Sequence, residues 1–117
     1  VPLVYAKKYA PVVEPPALSR LVPSPTKGGE MRLVVAARYL KPGTRVAIVD
    51  DFLANGKTAL ALTEIVAEAG AHTVVAGFLV EKCFQHGRDA LIERGVPVIA
   101  LAPVARLEQG RVVMADD

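Results

Sequence analysis

The chain has 117 residues, of which 52% are hydrophobic and 22% are charged, so it is long enough for one globular domain with a buried core. Its 14 basic and 12 acidic residues give a net charge of +2 and are scattered along the sequence. No block of like charges and no zinc-type Cys/His spacing occurs, which argues against a nucleic-acid interface.

The cysteine content and the apolar stretches bear on location. Cys83 is the only cysteine, which excludes an internal disulfide and favours a reducing, cytoplasmic compartment. The longest uncharged apolar stretch, Val96 to Ala105, falls short of the roughly 18 residues of a membrane span. No charged-then-apolar leader opens the chain. Because Val1 begins inside an apolar run without an initiator Met, we expect a trimmed chain whose earlier elements are missing.

The first predicted elements are two strands separated by an irregular segment. Residues 2–7 form a short apolar strand with a basic exit at Lys7-Lys8. Five prolines between Pro11 and Pro25 exclude a helix or a central strand and predict a long excursion. A loop of this length is typical of a functional lid, which we place at about residues 9–30 of a single domain spanning 1–117. Residues 31–37 predict the second strand, and residues 41–44 a turn.

Strands and helices alternate through the remainder of the chain. Apolar runs predict strands at 46–49, 73–80 and 96–101, and helical periodicity covers 57–69 and 88–94, each closed by a glycine. In the first helix, Glu64 and Glu68 are interpreted as a solvated face. This order predicts an α/β fold with a parallel twisted sheet flanked by helices. Residues 107–114 predict a small hairpin turned at Gln109-Gly110.

The segment from Asp50 to Thr58 admits three interpretations. Gly56-Lys57-Thr58 matches the end of an ATP-binding loop, but that loop needs a glycine where Asp51 stands. Alternatively, the acidic pair is a solvated strand end or a helix cap. The third interpretation is a ligand cradle at the carboxyl end of a parallel strand. There, a small-residue loop and a helix N-terminus bind a monophosphate, and two carboxylates accept hydrogen bonds from a ribose diol.

This segment resembles the 5-phosphoribosyl 1-diphosphate signature of type I phosphoribosyltransferases. Together with the stretch from Glu81 to Arg88, it is most similar to the bacterial xanthine phosphoribosyltransferases, and the likeness runs over nearly the whole chain. The resemblance implies a Rossmann-like parallel sheet and a mobile lid. It also implies purine salvage, in which xanthine and 5-phosphoribosyl 1-diphosphate become xanthosine monophosphate and diphosphate.

The resemblance also implies roles for residues at the sugar end. Asp50 and Asp51 would meet the ribose hydroxyls, directly or through water bound to substrate magnesium, with no direct metal ligand from the protein. The residues implied for the 5-phosphate are Ala54, Asn55, Gly56, Lys57 and Thr58. The hypoxanthine-guanine enzymes carry an aspartate where this chain has Ala54. This difference favours the xanthine or adenine branch and leaves the catalytic base unidentified.

The remaining implied contacts concern the base and the diphosphate. Lys82 would donate to purine carbonyl oxygens, although a lysine at a strand end is often only solvated. Phe84 would stack on the base, although a lone Phe is more often core. Lys7 and Lys8 would reach the diphosphate across a homodimer interface. No catalytic or metal role is expected for the two histidines, His72 and His86, or for Cys83.

Besides an adenine-specific enzyme, the sequence leaves two further functions open. One is a purine-responsive repressor that keeps the sugar-phosphate cradle and does no chemistry. The other is a structural fragment, which would fold but be inactive, because the family's N-terminal hood and diphosphate loop precede the equivalent of Val1.

Overall fold

Seven strands and two α-helices make up the part of the chain that the structure, a computed structural model, describes: residues 4, 6–8, 17–23, 30–108 and 111–114. In chain order they are β1 (Lys7–Lys8), β2 (Ala17–Pro23), β3 (Glu30–Ala36), β4 (Arg45–Leu53), α1 (Lys57–Glu68), β5 (His72–Lys82), α2 (Gly87–Glu93), β6 (Val98–Glu108) and β7 (Arg111–Met114). Two 3-10 turns cover Ala37–Tyr39 and Cys83–Gln85.

Strands β4, β5 and β6 form a parallel sheet, to which β7 adds an antiparallel edge strand, in the order β4-β5-β6-β7. The predicted alternation of strands and helices around a parallel sheet is confirmed. All three parallel strands are longer than the apolar runs that predicted them, because polar residues can continue the backbone pairing. β4 continues to Leu53, so Asp50 and Asp51 lie within the strand and not after it.

Both helices pack on one face of the parallel sheet. Two right-handed crossovers that proceed in the same direction across a sheet place their helices on the same side. Ile48 of β4, Phe78 of β5 and Leu91 of α2 are buried together between the sheet and the helices. This core holds the carboxyl end of β4 against the start of α1.

The opposite face of the parallel sheet is apolar and exposed. Val49, Leu79, Ile99 and Leu101 lie on it, with exposed fractions between 56% and 77%. The register places Val49 beside Gly77 and Gly77 beside Ile99, so these side chains form one continuous surface. Parallel sheets are usually covered on both faces. No element among the described residues covers this one.

Strands β1, β3 and β2 form a separate antiparallel sheet with β3 at its centre. Leu33 of this sheet belongs to the same core as Ala61 and Ile65 of α1, so α1 lies between the two sheets. β2 falls inside the predicted lid, where it is an edge strand that ends at Pro23, a position that tolerates proline. Residues 9–16 and 24–29 of the predicted lid lie outside the described residues, and its mobility stays a prediction.

An ion pair joins β2 to α1. Arg20 Nη2 lies 2.7 Å from Glu68 Oε1, and Arg20 Nε lies 3.8 Å from Glu64 Oε2. The two glutamate side chains are 44% and 45% exposed, so the predicted solvated face is also the surface that binds β2. Helical periodicity could not show this, because the partner comes from a strand far away in sequence.

The two ends of the chain contribute smaller features. β6 and β7 pair antiparallel, as the predicted hairpin requires, while its turn residues Gln109 and Gly110 lie outside the described residues. Lys7 and Lys8 form β1 beside Val34 and Leu33 of β3, and the structure does not describe their side chains. Within the described ranges, no helix has the length and hydropathy that crossing a bilayer requires.

Candidate functional site

A cleft of about 650 Å³ lies at the carboxyl ends of β4 and β5. Open α/β sheets bind their ligands at this edge. The predicted site residues that line it are Asp50, Asp51, Ala54, Asn55, Gly56, Lys57, Thr58 and Lys82. The fold therefore brings the predicted sugar-phosphate residues and the predicted base residue to one cavity. The side chains of Lys7, Lys8 and Phe84 are not described, so their roles stay predictions.

Two carboxylates form the acidic part of the cleft. Asp50 Oδ1 accepts a hydrogen bond from the Asp51 backbone N–H at 2.8 Å, and Asp51 Oδ1 accepts one from the Phe52 N–H at 2.9 Å. These bonds hold each carboxylate against the backbone at the end of β4. Among the described residues, no group of three or more His, Cys, Asp or Glu is arranged to hold a metal ion.

The loop between β4 and α1 ends at a helix N-terminus inside the cleft. Gly56 precedes the helix with a φ of 84°, a left-handed conformation that glycine adopts without strain. The Asn55 side-chain oxygen accepts a hydrogen bond from the Lys57 N–H at 3.0 Å. The N–H groups of Thr58 and Ala59 belong to the first turn, where no intrahelical carbonyl is available to them. Together with the positive end of the helix dipole, they favour an anion here.

The other end of the cleft combines an aromatic ring with an ammonium group. Lys82 Nζ lies 5.5 Å from the centroid of the Phe52 ring, within the range of a cation–π interaction. Phe52 is 53% exposed although it is a large apolar side chain. Gln85 lines the same cavity. A flat apolar surface with a hydrogen-bond donor beside it suits a planar heterocycle that carries oxygen acceptors.

Comparison with known proteins shows which enzymes the chain is similar to. No protein-family model matches the chain. A xanthine phosphoribosyltransferase of Chloroflexus aurantiacus is 57% identical over 111 residues, which are 95% of this chain and 53% of that protein. One of Deinococcus deserti is 42% identical over 117 residues, covering 99% of this chain and 61% of that protein. The chain is therefore similar to xanthine phosphoribosyltransferases over nearly its whole length.

A solved structure shows a related similarity. The crystal structure of an adenine phosphoribosyltransferase from Rhodothermus marinus has a TM-score of 0.73 and 29% identity, covering 86% of this chain and 55% of that one. The chain spans between about half and three-fifths of the length of the curated relatives it matches.

An ion pair stabilises the connection between β5 and α2. Arg88 Nε donates to both carboxylate oxygens of Glu81, at 3.1 and 3.0 Å, and Arg88 Nη2 lies 2.7 Å from Glu81 Oε1. Arg88 Nη1 donates to the Val98 carbonyl at 3.1 Å. The hydrogen bonds from Arg88 to Glu81 raise the pKa of the guanidinium above its ordinary value. The guanidinium thereby compensates the negative charge of Glu81, a buried residue directly before Lys82.

Cys83 lies within the same connection. Burial, followed by the charge of Glu81, raises the pKa of the Cys83 thiol above its ordinary value of 9.0. A raised pKa keeps the sulfur protonated at neutral pH, which is the unreactive form. This agrees with the expectation that Cys83 is a packed residue and not a nucleophile.

Sequence reasoning missed two groups of residues. Phe52 is absent from the predicted site, because alternation along a strand does not show that its ring faces a cavity. The pairing of Glu81 with Arg88 was also missed, although the seven-residue spacing across a strand end and a helix start was visible. The available signal was Glu81 itself, a charged residue directly after the predicted apolar strand, since a charge that becomes buried is normally paired.

Proposed function

We propose that this chain carries the sugar-phosphate and base subsites of a purine phosphoribosyltransferase that acts on xanthine. The observation that carries the proposal is the single cleft in which Asp50, Asp51, the loop before α1 and Lys82 meet. A phosphate, a ribose diol and a base can thus lie along one cavity, in the order in which they are linked in a nucleoside monophosphate.

At the sugar end, acceptors and donors are separated in space. Asp50 and Asp51 accept hydrogen bonds from the ribose hydroxyls, because ionised carboxylates are acceptors only. The 5-phosphate lies against the loop that ends at Gly56 and against the N–H groups of Thr58 and Ala59. The Thr58 hydroxyl and the Lys57 ammonium supply further donors. The Asn55 side chain holds the loop by its bond to the Lys57 N–H, so we assign it to loop geometry more than to direct phosphate contact.

At the base end, the chemistry of Lys82 favours xanthine over adenine. An ammonium group has three donors and no acceptor, so it pairs with the carbonyl oxygens of xanthine and not with the exocyclic amino group of adenine. A charge-assisted hydrogen bond of this kind contributes roughly 1.5–3 kcal/mol. The relatives named xanthine phosphoribosyltransferase are 57% and 42% identical, whereas the adenine enzyme of Rhodothermus marinus is 29% identical. Phe52 packs on the base beside Lys82.

The reaction exchanges one bond at C1 of the sugar. The bond from C1 to the diphosphate oxygen breaks, a bond from C1 to a purine ring nitrogen forms, and the proton on that nitrogen is lost. Diphosphate leaves with the bonding electrons, so positive charge develops on the ribose, next to Asp50 and Asp51. Magnesium carried by the substrate would neutralise the diphosphate, and two carboxylates are suitable partners for its bound waters. Lys7 and Lys8 add positive charge for the diphosphate.

Selective nucleotide binding tests this function directly on the 117-residue chain. Isothermal titration with Mg²⁺ present should show tighter binding of xanthosine monophosphate than of adenosine monophosphate. Lys82→Ala should weaken binding of xanthosine monophosphate about tenfold or more and leave the affinity for ribose 5-phosphate within about twofold of the parent chain. Equal affinity for the two nucleotides, or equal loss of both ligands in the variant, would contradict the assignment of Lys82 to xanthine.

Turnover separates the enzyme from the repressor alternative. The protein is incubated with 5-phosphoribosyl 1-diphosphate, Mg²⁺ and, in turn, xanthine, guanine, hypoxanthine or adenine. Release of diphosphate with xanthine is expected. Binding of the sugar diphosphate without consumption of any purine would instead identify a sensor.

We also propose a cytoplasmic location and a homodimer. A single cysteine suits a reducing compartment, and the basic residues of β1 suit a diphosphate site shared with a second copy. Sedimentation velocity tests the second proposal, since a monomer at all concentrations would contradict it.

A further inference from the structure

The two subsites of the cleft lie on different chain connections that touch at one glycine. The Gly87 N–H, at the start of α2, donates to the Ala54 carbonyl in the loop before α1 at 2.9 Å. Gly56, which ends that loop, also packs on the Gly87 backbone, because a Cβ on Gly56 would lie 3.0 Å from Gly87 Cα. The loop for the phosphate is thus in backbone contact with the connection that carries Lys82.

This contact leaves no room for a side chain at position 87. A Cβ on Gly87 would overlap the Ala54 carbonyl oxygen and would lie 2.7 Å from Leu53 Cδ1 and 2.9 Å from the Gly56 nitrogen. Gly87 is not among the glycines with positive φ, so its conformation does not require glycine. The close approach of the two connections does.

The connection is also held from its other side. Glu81 directly precedes Lys82, and Arg88 directly follows Gly87, and these two residues form the bidentate ion pair. The segment from Lys82 to Gly87 is therefore a loop closed at both ends. Its position relative to the phosphate loop is set by the bond from Gly87 to Ala54.

We propose that Gly87 is a positioning residue that sets the spacing between the phosphate loop and Lys82, and so selects ligands whose phosphate and base are separated by that distance. The proposal rests on the function proposed above. A ligand with both groups gains from a cleft in which the two partners are already correctly spaced. A ligand with only the sugar phosphate gains nothing from that spacing.

Gly87→Ala tests the proposal, because the added methyl group must push the two connections apart. Isothermal titration compares xanthosine monophosphate with ribose 5-phosphate. We expect a loss of about 10- to 100-fold in affinity for the nucleotide, because its phosphate and its base can no longer engage both partners at once. Ribose 5-phosphate should stay within about twofold of the parent chain.

Two glycine variants serve as matched controls. Gly77→Ala adds a Cβ in β5 with no atom within 4 Å, and Gly95→Ala strains a glycine with φ of 79° beyond the end of α2, also in open space. Gly77→Ala controls for the added methyl group. Gly95→Ala controls for a loss of stability that does not displace the two connections. Both should keep the parent ratio of the two affinities.

Arg88→Lys provides a second test should Gly87→Ala fail to fold. Lysine keeps the charge and loses the bidentate fork, so the connection loosens without a new Cβ. The same split between nucleotide and sugar phosphate is expected, at smaller size. If these variants lose affinity for both ligands equally while the parent chain still binds both, the role of Gly87 is overturned. The proposed function is then unaffected. Failure of the parent chain to bind either ligand would refute the proposed function, and the role of Gly87 with it.

Discussion

The two connections that line the cleft are held in different ways. The loop from Ala54 to Gly56 is stabilised by bonds between near neighbours, such as the one from the Lys57 N–H to Asn55. The connection from Lys82 to Gly87 is stabilised by Arg88, which binds Glu81 and the Val98 carbonyl of the next strand. Apart from the bond that the Ala54 carbonyl accepts from Gly87, the first geometry is local and can be recognised in a short sequence signature. The second depends on a strand, a helix and a further strand being assembled.

The largest expected effect on stability comes from removing Arg88, which stabilises the second connection. Arg88→Ala leaves the buried Glu81 carboxylate without its partner, which should lower the free energy of unfolding by about 3 kcal/mol, at the low end for buried pairs because Arg88 is partly exposed. Urea denaturation followed by circular dichroism measures this. Arg94→Ala, at the exposed position directly after α2, should change stability by less than about 0.5 kcal/mol. Similar values for both variants would show that the ion pair contributes little.

A smaller effect is expected where the two connections touch. Gly56→Ala forces a left-handed conformation on alanine, at a cost of about 1–2 kcal/mol, and also presses a methyl group against Gly87. Gly43→Ala has the same conformational cost, with φ of 83°, but meets no atom within 4 Å. The stability difference between the two variants therefore measures the contact. Equal values would mean that the loops can separate freely.

Asn55 separates loop geometry from ligand charge in the first connection. Asn55→Ala removes the acceptor for the Lys57 N–H and should cost about 1 kcal/mol of stability. Asn55→Asp keeps an acceptor and suits the positive end of the helix, so stability should be retained. The added negative charge should nevertheless weaken binding of ribose 5-phosphate, because it repels the phosphate. Titration calorimetry measures this affinity. Unchanged binding in Asn55→Asp would place the phosphate elsewhere.

The smallest effect concerns Cys83 in the second connection. Its pKa is raised above 9.0, so the folded state favours the thiol, and this contribution to stability is complete below pH 9.0 and lost as the pH rises through the folded pKa. Alkylation by iodoacetamide should therefore have its pH midpoint above that of the urea-unfolded chain. A shared midpoint would indicate that Cys83 is not shielded.

Much of the fold was predictable from the sequence because it depends on periodicity. The apolar runs and the helix from Lys57 gave the alternation of a parallel sheet, and right-handed crossovers fix where consecutive helices lie. Strand ends were placed too early, because backbone pairing continues through polar residues such as Asp50. The antiparallel sheet was not predicted as a unit, since prolines around β2 obscured an edge strand.

By itself, the sequence determined the sugar-phosphate half of the candidate site. Adjacent carboxylates, small loop residues and a helix start are contiguous, so their spacing already determines their geometry. Only the tertiary structure decided the base half, where Phe52 and Lys82 meet across two strands and Gly87 contacts Ala54. These contacts join residues far apart in the chain. Their geometry depends on how strands and helices pack, which no local pattern specifies.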